Sequence, residues 1–250
     1  MIKLENIEVT GWEAAIRGMR NPMNSWEKSD SVFNIHKVSS YERKGAYKGT
    51  NINGDIKILY YDGLIPGDFI IGSNDLDLMQ RLYNAGTEHR KFMRMIIVTM
   101  DITAPLYWWK EFDTYKVGTV ANSCSTMHKI TAKEFTLDDF SHEHLTFCSR
   151  DAIEAAIREM NAYRKWYIDY DSYNDDDRMK LNGIGIHSKK DCWWQLIQLL
   201  PSSYNQKRTV QMSYENVVTI MQQRKGHKLD EWQRLIDEFE KLPYIKEITE

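Results

Sequence analysis

Residues 101–128 read DITAPLYWWKEFDTYKVGTVANSCSTMH. The Ala104-Pro105 pair predicts a break, after which come an aromatic, charged segment and then a small, hydroxyl-rich loop from Gly118 to Thr126. Aromatic rings supply stacking area for planar ligands, and small residues let backbone N–H groups approach an anion. This stretch therefore predicts a surface that binds a ring and a phosphate. A buried amphipathic helix followed by an ordinary loop fits the same residues, so that interpretation stays open.

Length and charge limit the partners of this chain. Its 250 residues suffice for one large domain or two small ones, and 42% hydrophobic with 28% charged residues is typical of a soluble globular protein. The 33 basic and 36 acidic side chains nearly cancel, so there is no global attraction for nucleic acid or an anionic membrane. No window approaches a membrane span, and the N-terminus lacks the pattern of a secretory signal. We therefore expect a cytoplasmic protein without nucleic-acid or membrane partners, in which Cys124, Cys148 and Cys192 stay reduced.

Hydrophobic spacing predicts strands alternating with helices. Strands are predicted over 2–10, 56–61 and 92–102. Helices are predicted over 12–19, 73–86, 149–170, 213–223 and 229–242. The nearly continuous apolar run at 92–102 favours a strand buried on both faces, and Ser73-Asn74-Asp75 offers capping side chains. Residues 23–53 are polar with little periodicity, which predicts a long excursion with mobile parts.

Two polar clusters have metal-binding residue types, and neither has the right spacing. The aspartates of 169–177 could suggest a calcium loop, but Lys180 stands at the twelfth position, where a bidentate carboxylate is needed. An exposed acidic turn is the better interpretation. His142 and His144 would point to different faces of a helix, which disfavours joint ligation. We predict no metal site.

The C-terminal third carries basic residues beside predicted turns. Lys207 and Arg208 follow the turn at 201–203 and could bind an anion, whereas an exposed basic turn is the alternative. Arg224 ends a predicted helix just before Gly226. Because cations are favoured at a helix C-terminus, Arg224 also has a structural explanation.

These two regions together resemble the flavin-dependent thymidylate synthases. Residues 200–232 are similar to a family segment with Leu-Pro, a Tyr, a basic residue, a helix that ends in Arg and a second helix four residues later. The central stretch resembles the segment of the family signature, which is Arg-His-Arg, seven residues and then Ser-x-Arg. Residues 115–117 (Tyr-Lys-Val) and 125–127 (Ser-Thr-Met) stand at those positions, so the three signature arginines are absent. The resemblance spans about 75–128 and 193–239.

The resemblance implies a substrate site and a cofactor site. In the family, the Arg-His-Arg triplet grips the flavin and the Ser-x-Arg portion holds the phosphate of dUMP. The substrate residues implied here are Ser125 with Ser123 and Asn122 beside it, Lys207 or Arg208 at the phosphate, and Arg224 at the base. The residues implied for FAD are Lys116, Tyr115 and Glu111. Since a lysine cannot reproduce the bidentate contact of an arginine, we expect weak FAD binding.

The expected fold class is α/β, with a mixed sheet flanked by helices in one domain over 1–250 and a helical insertion at about 136–190. The resemblance implies a homotetramer with shared active sites, for which exposed tryptophans are candidate contacts (Trp108, Trp109, Trp193 and Trp194). An active protein would be an FAD-dependent methyltransferase that moves a methylene unit from a folate to dUMP, with hydride from NADPH. The alternatives are a non-catalytic protein that sequesters or senses a nucleotide, and an oligomeric structural protein. The missing arginines favour nucleotide binding without flavin chemistry.

Overall fold

The structure is a computed structural model that describes residues 2–41, 44–62 and 67–250. Its strands are β1 (Lys3–Thr10), β2 (Phe33–Tyr41), β3 (Lys44–Thr50), β4 (Ile56–Asp62), β5 (Ile97–Pro105), β6 (Thr119–Ser123) and β7 (Asn205–Ser213). Its helices are α1 (Trp12–Arg20), α2 (Ser73–Asn84), α3 (Leu106–Phe112), α4 (Thr126–Lys129), α5 (Phe147–Asp169), α6 (Asp175–Gly183), α7 (Lys189–Leu199), α8 (Tyr214–Arg224), α9 (Asp230–Phe239) and α10 (Ile245–Thr249). The predicted α/β class, with sheets flanked by helices, is confirmed.

The strands form two sheets. One has four strands in the order β1-β5-β7-β6, and the other is an antiparallel sheet in the order β2-β3-β4. The chain divides into two compact units, a central unit (2–6, 100–210 and 228–234) and a flanking unit (the described parts of 7–99, 211–227 and 235–250). The region of the predicted insertion lies in the central unit and contains α5 and α6. Within the described residues, no helix is long and apolar enough to cross a membrane.

Aromatic side chains form a core in the central unit. Trp108, Trp109 and Phe112 of α3 are buried, and the ring of Trp232 lies 4.8 Å from that of Trp108. Trp109 Nε1 donates a hydrogen bond of 2.9 Å to the carbonyl of Gln206. The buried-helix interpretation of α3 is therefore confirmed. The prediction that Trp108 and Trp109 are exposed subunit contacts is wrong, because their rings fill this interior.

Two strands occupy the stretch where a polar excursion was predicted. β2 and β3 pair antiparallel from Phe33 with Thr50 to Tyr41 with Lys44, and Val32, Ile35 and Tyr47 form a small buried cluster beneath them. The register of β2 shifts between Phe33 and His36 and again between Lys37 and Ser39. Each shift interrupts the alternation of apolar and polar residues, which explains why the sequence pattern does not reveal the strands.

The apolar run at 92–102 contains two elements. Residues Lys91–Arg94 form a 3₁₀ turn, and β5 begins only at Ile97. Burial alternates along most of β5, so the prediction of one strand buried on both faces is wrong. The side chains of Phe92 and Met93 belong to the 3₁₀ turn and are buried, which explains why the apolar run begins before β5.

A buried ion pair joins α1 to α2 in the flanking unit. Asp75 is fully buried, its Oδ1 lies 2.6 Å from Arg20 Nε, and its Oδ2 accepts hydrogen bonds from the hydroxyls of Ser29 and Ser31 at 2.7 and 2.6 Å. The side chain of Asp30 supplies the cap of α2 and accepts from the N–H of Asp75 at 3.1 Å. The predicted local caps of α2 are therefore wrong, since a carboxylate from a distant segment takes that place.

Candidate functional site

A cleft of about 290 Å³ lies in the central unit. Its polar lining includes two groups, Ser125, Thr126 and Lys129 at α4 and Asn205 and Lys207 of β7, and also the acids Asp138 and Asp139. The two groups are far apart in the chain, and pairing of β6 with β7 brings them together. Ser125 and Lys207, both implied at the phosphate of a nucleotide, thus line one cleft.

The predicted hydroxyl-rich loop is a strand followed by a short helix. β6 ends at Ser123, the N–H of the following Cys124 donates to the carbonyl of Lys207 at 2.9 Å, and the chain then enters α4. Ser125 is the N-cap of α4, and its Oγ accepts from the N–H of His128 at 3.2 Å. Asn122 and Ser123 are exposed on β6 and do not line the cleft. Only Ser125 of this predicted trio lies in the cleft wall.

The lysines of the cleft differ in how far they are neutralised. Lys133 forms an ion pair with Asp139. Lys207 Nζ lies 3.0 Å from Asp101 Oδ2. Within the described residues Lys129 forms no ion pair, and it is exposed to solvent. Among the cleft lysines, Lys129 is therefore the one whose charge no carboxylate of the described residues pairs, while Asp138 adds a negative charge to the same lining.

Hydrogen bonds keep the acid behind Lys207 ionised. The hydroxyl of Thr209, the amide of Asn6 and the ammonium of Lys207 all donate to Asp101, and they lower its pKa to about 2. The same contact with Asp101 raises the pKa of Lys207. Because both groups stay charged at neutral pH, Lys207 reaches the cleft already partly neutralised.

The side chain of Arg208 makes contacts within the protein on the opposite face of β7. Its guanidinium lies 4.2 Å from the ring of Trp109 and donates to Asp113 at 2.7 Å and to Gln206 at 3.0 Å. Successive strand residues point to opposite faces, so Arg208 faces away from Lys207. Of the two basic residues left open by the sequence, Lys207 lines the cleft and Arg208 does not.

Sequence reasoning missed Lys129 and Asn205. Lys129 lies four residues after Ser125, a spacing that places both on one face of a helix and could have revealed it. Asn205 Oδ1 is buried and has no hydrogen-bond partner in the described structure, while its Nδ2 lies 3.5 Å from the carbonyl of Asp138. An unpaired buried acceptor costs free energy unless a ligand or water supplies a donor.

Comparison with known proteins finds similarity in structure alone. No family model and no curated protein matches this chain. A crystal structure of the flavin-dependent thymidylate synthase ThyX from Helicobacter pylori complexed with FAD and dUMP has a TM-score of 0.56 and 13% identity, covering 98% of each chain. A second crystal structure of this enzyme with FAD and dUMP has a TM-score of 0.57 and 12% identity, covering 99% of this chain and 96% of that one. The fold is ThyX-like. At this identity the similarity concerns the fold only.

Two of the three positions implied for FAD in this ThyX-like fold, Tyr115 and Glu111, make contacts inside the protein. Tyr115 lies with its ring 6.0 Å from that of Trp232, and Glu111 accepts a hydrogen bond from Trp232 Nε1 at 3.1 Å. Lys116 is exposed. A pyrophosphate is bound best by several charge-assisted N–H donors, and these three side chains offer a single ammonium. These three residues therefore do not by themselves fit the pyrophosphate of FAD.

The other candidate residues have separate positions. Arg224 is the last residue of α8, is partly buried and belongs to the flanking unit. His142 and His144 lie in a turn, not a helix, and contact the carbonyl of Phe140 at 2.8 Å and Asp230 at 3.0 Å. Within the described residues, no group of three His, Cys, Asp or Glu side chains could hold a metal ion.

Proposed function

We propose that this protein binds a uridine-type mononucleotide and places the phosphate in the cleft against Ser125, Lys129 and Lys207. The observation that carries the proposal is the meeting of these residues in one cleft of a ThyX-like fold. The two solved structures compared above, which are among those similar in fold, contain dUMP. A volume of about 290 Å³ is at the small end of ligand sites, which favours a mononucleotide over a dinucleotide.

The polar groups of the cleft complement such a ligand. Ser125 Oγ already accepts from a backbone N–H, so its hydrogen is available to a phosphate oxygen. Lys129 supplies an ammonium that no carboxylate among the described residues neutralises. Asn205 Oδ1 is an acceptor in need of a donor, and a uracil ring presents an N–H. We assign Lys129 the main phosphate contact and Asn205 the contact to the base.

We expect dUMP to bind at least tenfold more tightly than deoxyuridine in isothermal titration calorimetry. The phosphate is the group that Ser125 and Lys129 contact, and a charge-assisted hydrogen bond contributes about 1.5–3 kcal/mol. Lys129→Gln should remove most of this difference. The control is Lys165→Gln, which changes an exposed lysine of α5 that does not line the cleft. Equal affinity for dUMP and deoxyuridine would refute the phosphate assignment.

We expect Arg224→Ala to weaken dUMP binding by about 1.5–3 kcal/mol, since the resemblance assigns Arg224 to the base in an active site shared between subunits and a charged donor would be lost. The fold should persist, because this side chain is partly exposed at a helix end. Calorimetry measures the affinity, and circular dichroism checks folding. Lys225→Ala alters the neighbouring exposed cation and should have no effect. A folded Arg224→Ala protein with wild-type affinity would remove Arg224 from the site.

The nucleotide site is proposed for sequestering or sensing, without flavin chemistry. The support is the donor set at Lys116, Tyr115 and Glu111, which does not fit the FAD pyrophosphate. Methylation of dUMP with FAD is the second candidate, because the two solved structures compared above hold FAD as well as dUMP. Reconstitution with FAD separates the two functions.

We propose that the protein forms a homotetramer, as the resemblance implies. Large apolar side chains support self-association, since Ile56, Ile58 and Tyr60 alternate along β4 with exposures of 61, 62 and 77%. Light scattering at micromolar concentration should give the mass of four chains, and Ile58→Lys should lower it. Lys57→Gln, at the next position of β4, is the control. A monomeric wild-type protein would contradict the proposal.

A further inference from the structure

A second pocket, of about 520 Å³, lies in the central unit beside the cleft. Thr126 and Lys129 of α4 line the cleft, whereas Met127 and His128 line the pocket. The two cavities therefore use different residues of one short helix. The remaining pocket wall comes from α5 and α7, which have no part in the cleft.

Trp193 forms an ordered aromatic wall of this pocket. Its Nε1 donates a hydrogen bond of 3.1 Å to the carbonyl of Met127. The centre of its ring lies 4.8 Å from that of Trp194, and the two ring planes make an angle of 67°. These contacts hold the indole in one orientation. The side chain of Met127 is half exposed, and an unbranched thioether adapts readily to a flat ring. The pocket thus offers a fixed ring beside an adaptable apolar side chain.

The charge at the pocket is positive. Lys189 pairs with Asp171 at 2.5 Å and covers the ring of Tyr167 at 5.2 Å, so both Lys189 and Tyr167 are already engaged. Lys190 forms no ion pair within the described part of the chain. It precedes Trp193 by three residues on α7, a spacing that places both side chains on one face of the helix. Among the residues that the structure describes, no acidic side chain lines the pocket.

We propose that this pocket binds a planar aromatic anion, with its ring stacked on Trp193 and its acidic group at Lys190. A volume of about 520 Å³ is within the range of small-molecule sites. The apolar and aromatic residues provide stacking area, and Lys190 provides the orienting charge. This site is separate from the nucleotide cleft and does not depend on what the cleft binds.

The test is a fluorescence titration with anilinonaphthalene sulfonate, an aromatic anion with a planar naphthalene ring, beside its uncharged parent N-phenylnaphthylamine. We expect Lys190→Gln to weaken sulfonate binding about tenfold, the loss of one charge-assisted contact, and to leave binding of the uncharged probe unchanged. Met127→Glu should weaken the sulfonate further, because it adds a negative charge to the wall. This substitution retains the backbone carbonyl that holds Trp193.

The control is Lys180→Gln, which removes a lysine from another aromatic pocket, lined by Trp166 and Tyr173. It should not alter sulfonate affinity. Saturating dUMP should not displace the probe, because the cleft and the pocket share no residue. Wild-type affinity in the Lys190→Gln protein, an equal loss in the Lys180→Gln protein, or displacement by dUMP would each overturn the proposal.

Discussion

The purified protein is expected to be colourless and to bind added FAD weakly. FAD carries two phosphates, and residues 115–117 supply one ammonium, that of Lys116, in place of the two guanidinium groups of the family's Arg-His-Arg triplet. Loss of two charge-assisted hydrogen bonds at about 1.5–3 kcal/mol each weakens binding by a factor on the order of 10² to 10⁴. The absorbance of bound flavin after reconstitution and gel filtration measures this directly.

A variant that is expected to bind FAD more tightly tests the same assignment in the opposite direction. Val117 is 88% exposed at a signature position, so Val117→Arg should raise FAD affinity about tenfold without disturbing the core. Val120→Arg places the same group on exposed β6 and should have no effect. A stoichiometric yellow complex of the wild-type protein, with tritium release from labelled dUMP when folate and NADPH are added, would restore the enzyme function.

Asp75→Ala is expected to lower the free energy of unfolding by about 3–5 kcal/mol, as measured by urea denaturation. The substitution leaves the guanidinium of Arg20 buried without its carboxylate, and it removes the acceptor of the Ser29 and Ser31 hydroxyls. A buried charge without a partner costs far more than an exposed one.

The same helix provides the control for this prediction. Asp77 pairs with Arg81 on the surface of α2, with side chains 64 and 68% exposed. Such a pair contributes about 0–1 kcal/mol, so Asp77→Ala should change stability little. Arg20→Met combined with Asp75→Leu should lose less stability than Asp75→Ala, since it removes both charges. Equal effects of Asp75→Ala and Asp77→Ala would show that the buried pair does not stabilise the fold.

Local patterns determine the helices of this protein. The apolar spacing of α1, α5 and α8 predicts their extents to within a few residues. Ser213 caps α8 and the Thr136-Asp139 capping box starts a 3₁₀ turn, because both caps join residues three positions apart. The α/β class follows from the same local information. These features need no knowledge of distant segments.

Contacts between distant segments decide what the local patterns miss. The local sequence predicts that Asp75 caps α2. In the structure Asp75 is the buried partner of Arg20, and Asp30 caps α2 instead. That arrangement requires a glycine at Gly72, since a Cβ there would lie 2.1 Å from the carboxyl carbon of Asp30. Nothing in the residues around α2 reveals that Asp30 approaches so closely.

In the candidate site too, some residues are predicted from the sequence and others are decided by the tertiary structure. The resemblance names Ser125 and Lys207, but it leaves Lys207 and Arg208 as alternatives and includes Asn122 and Ser123, which do not line the cleft. The choice between Lys207 and Arg208 depends on which face of β7 lines the cleft. Sequence alone therefore determines the amphipathic helices, the caps formed between residues three positions apart and the fold class, because these arise from neighbours in the chain. The tertiary structure determines the ion pairs, the neutralised lysines and the cleft, because their charges meet only when β6, β7 and α4 pack together.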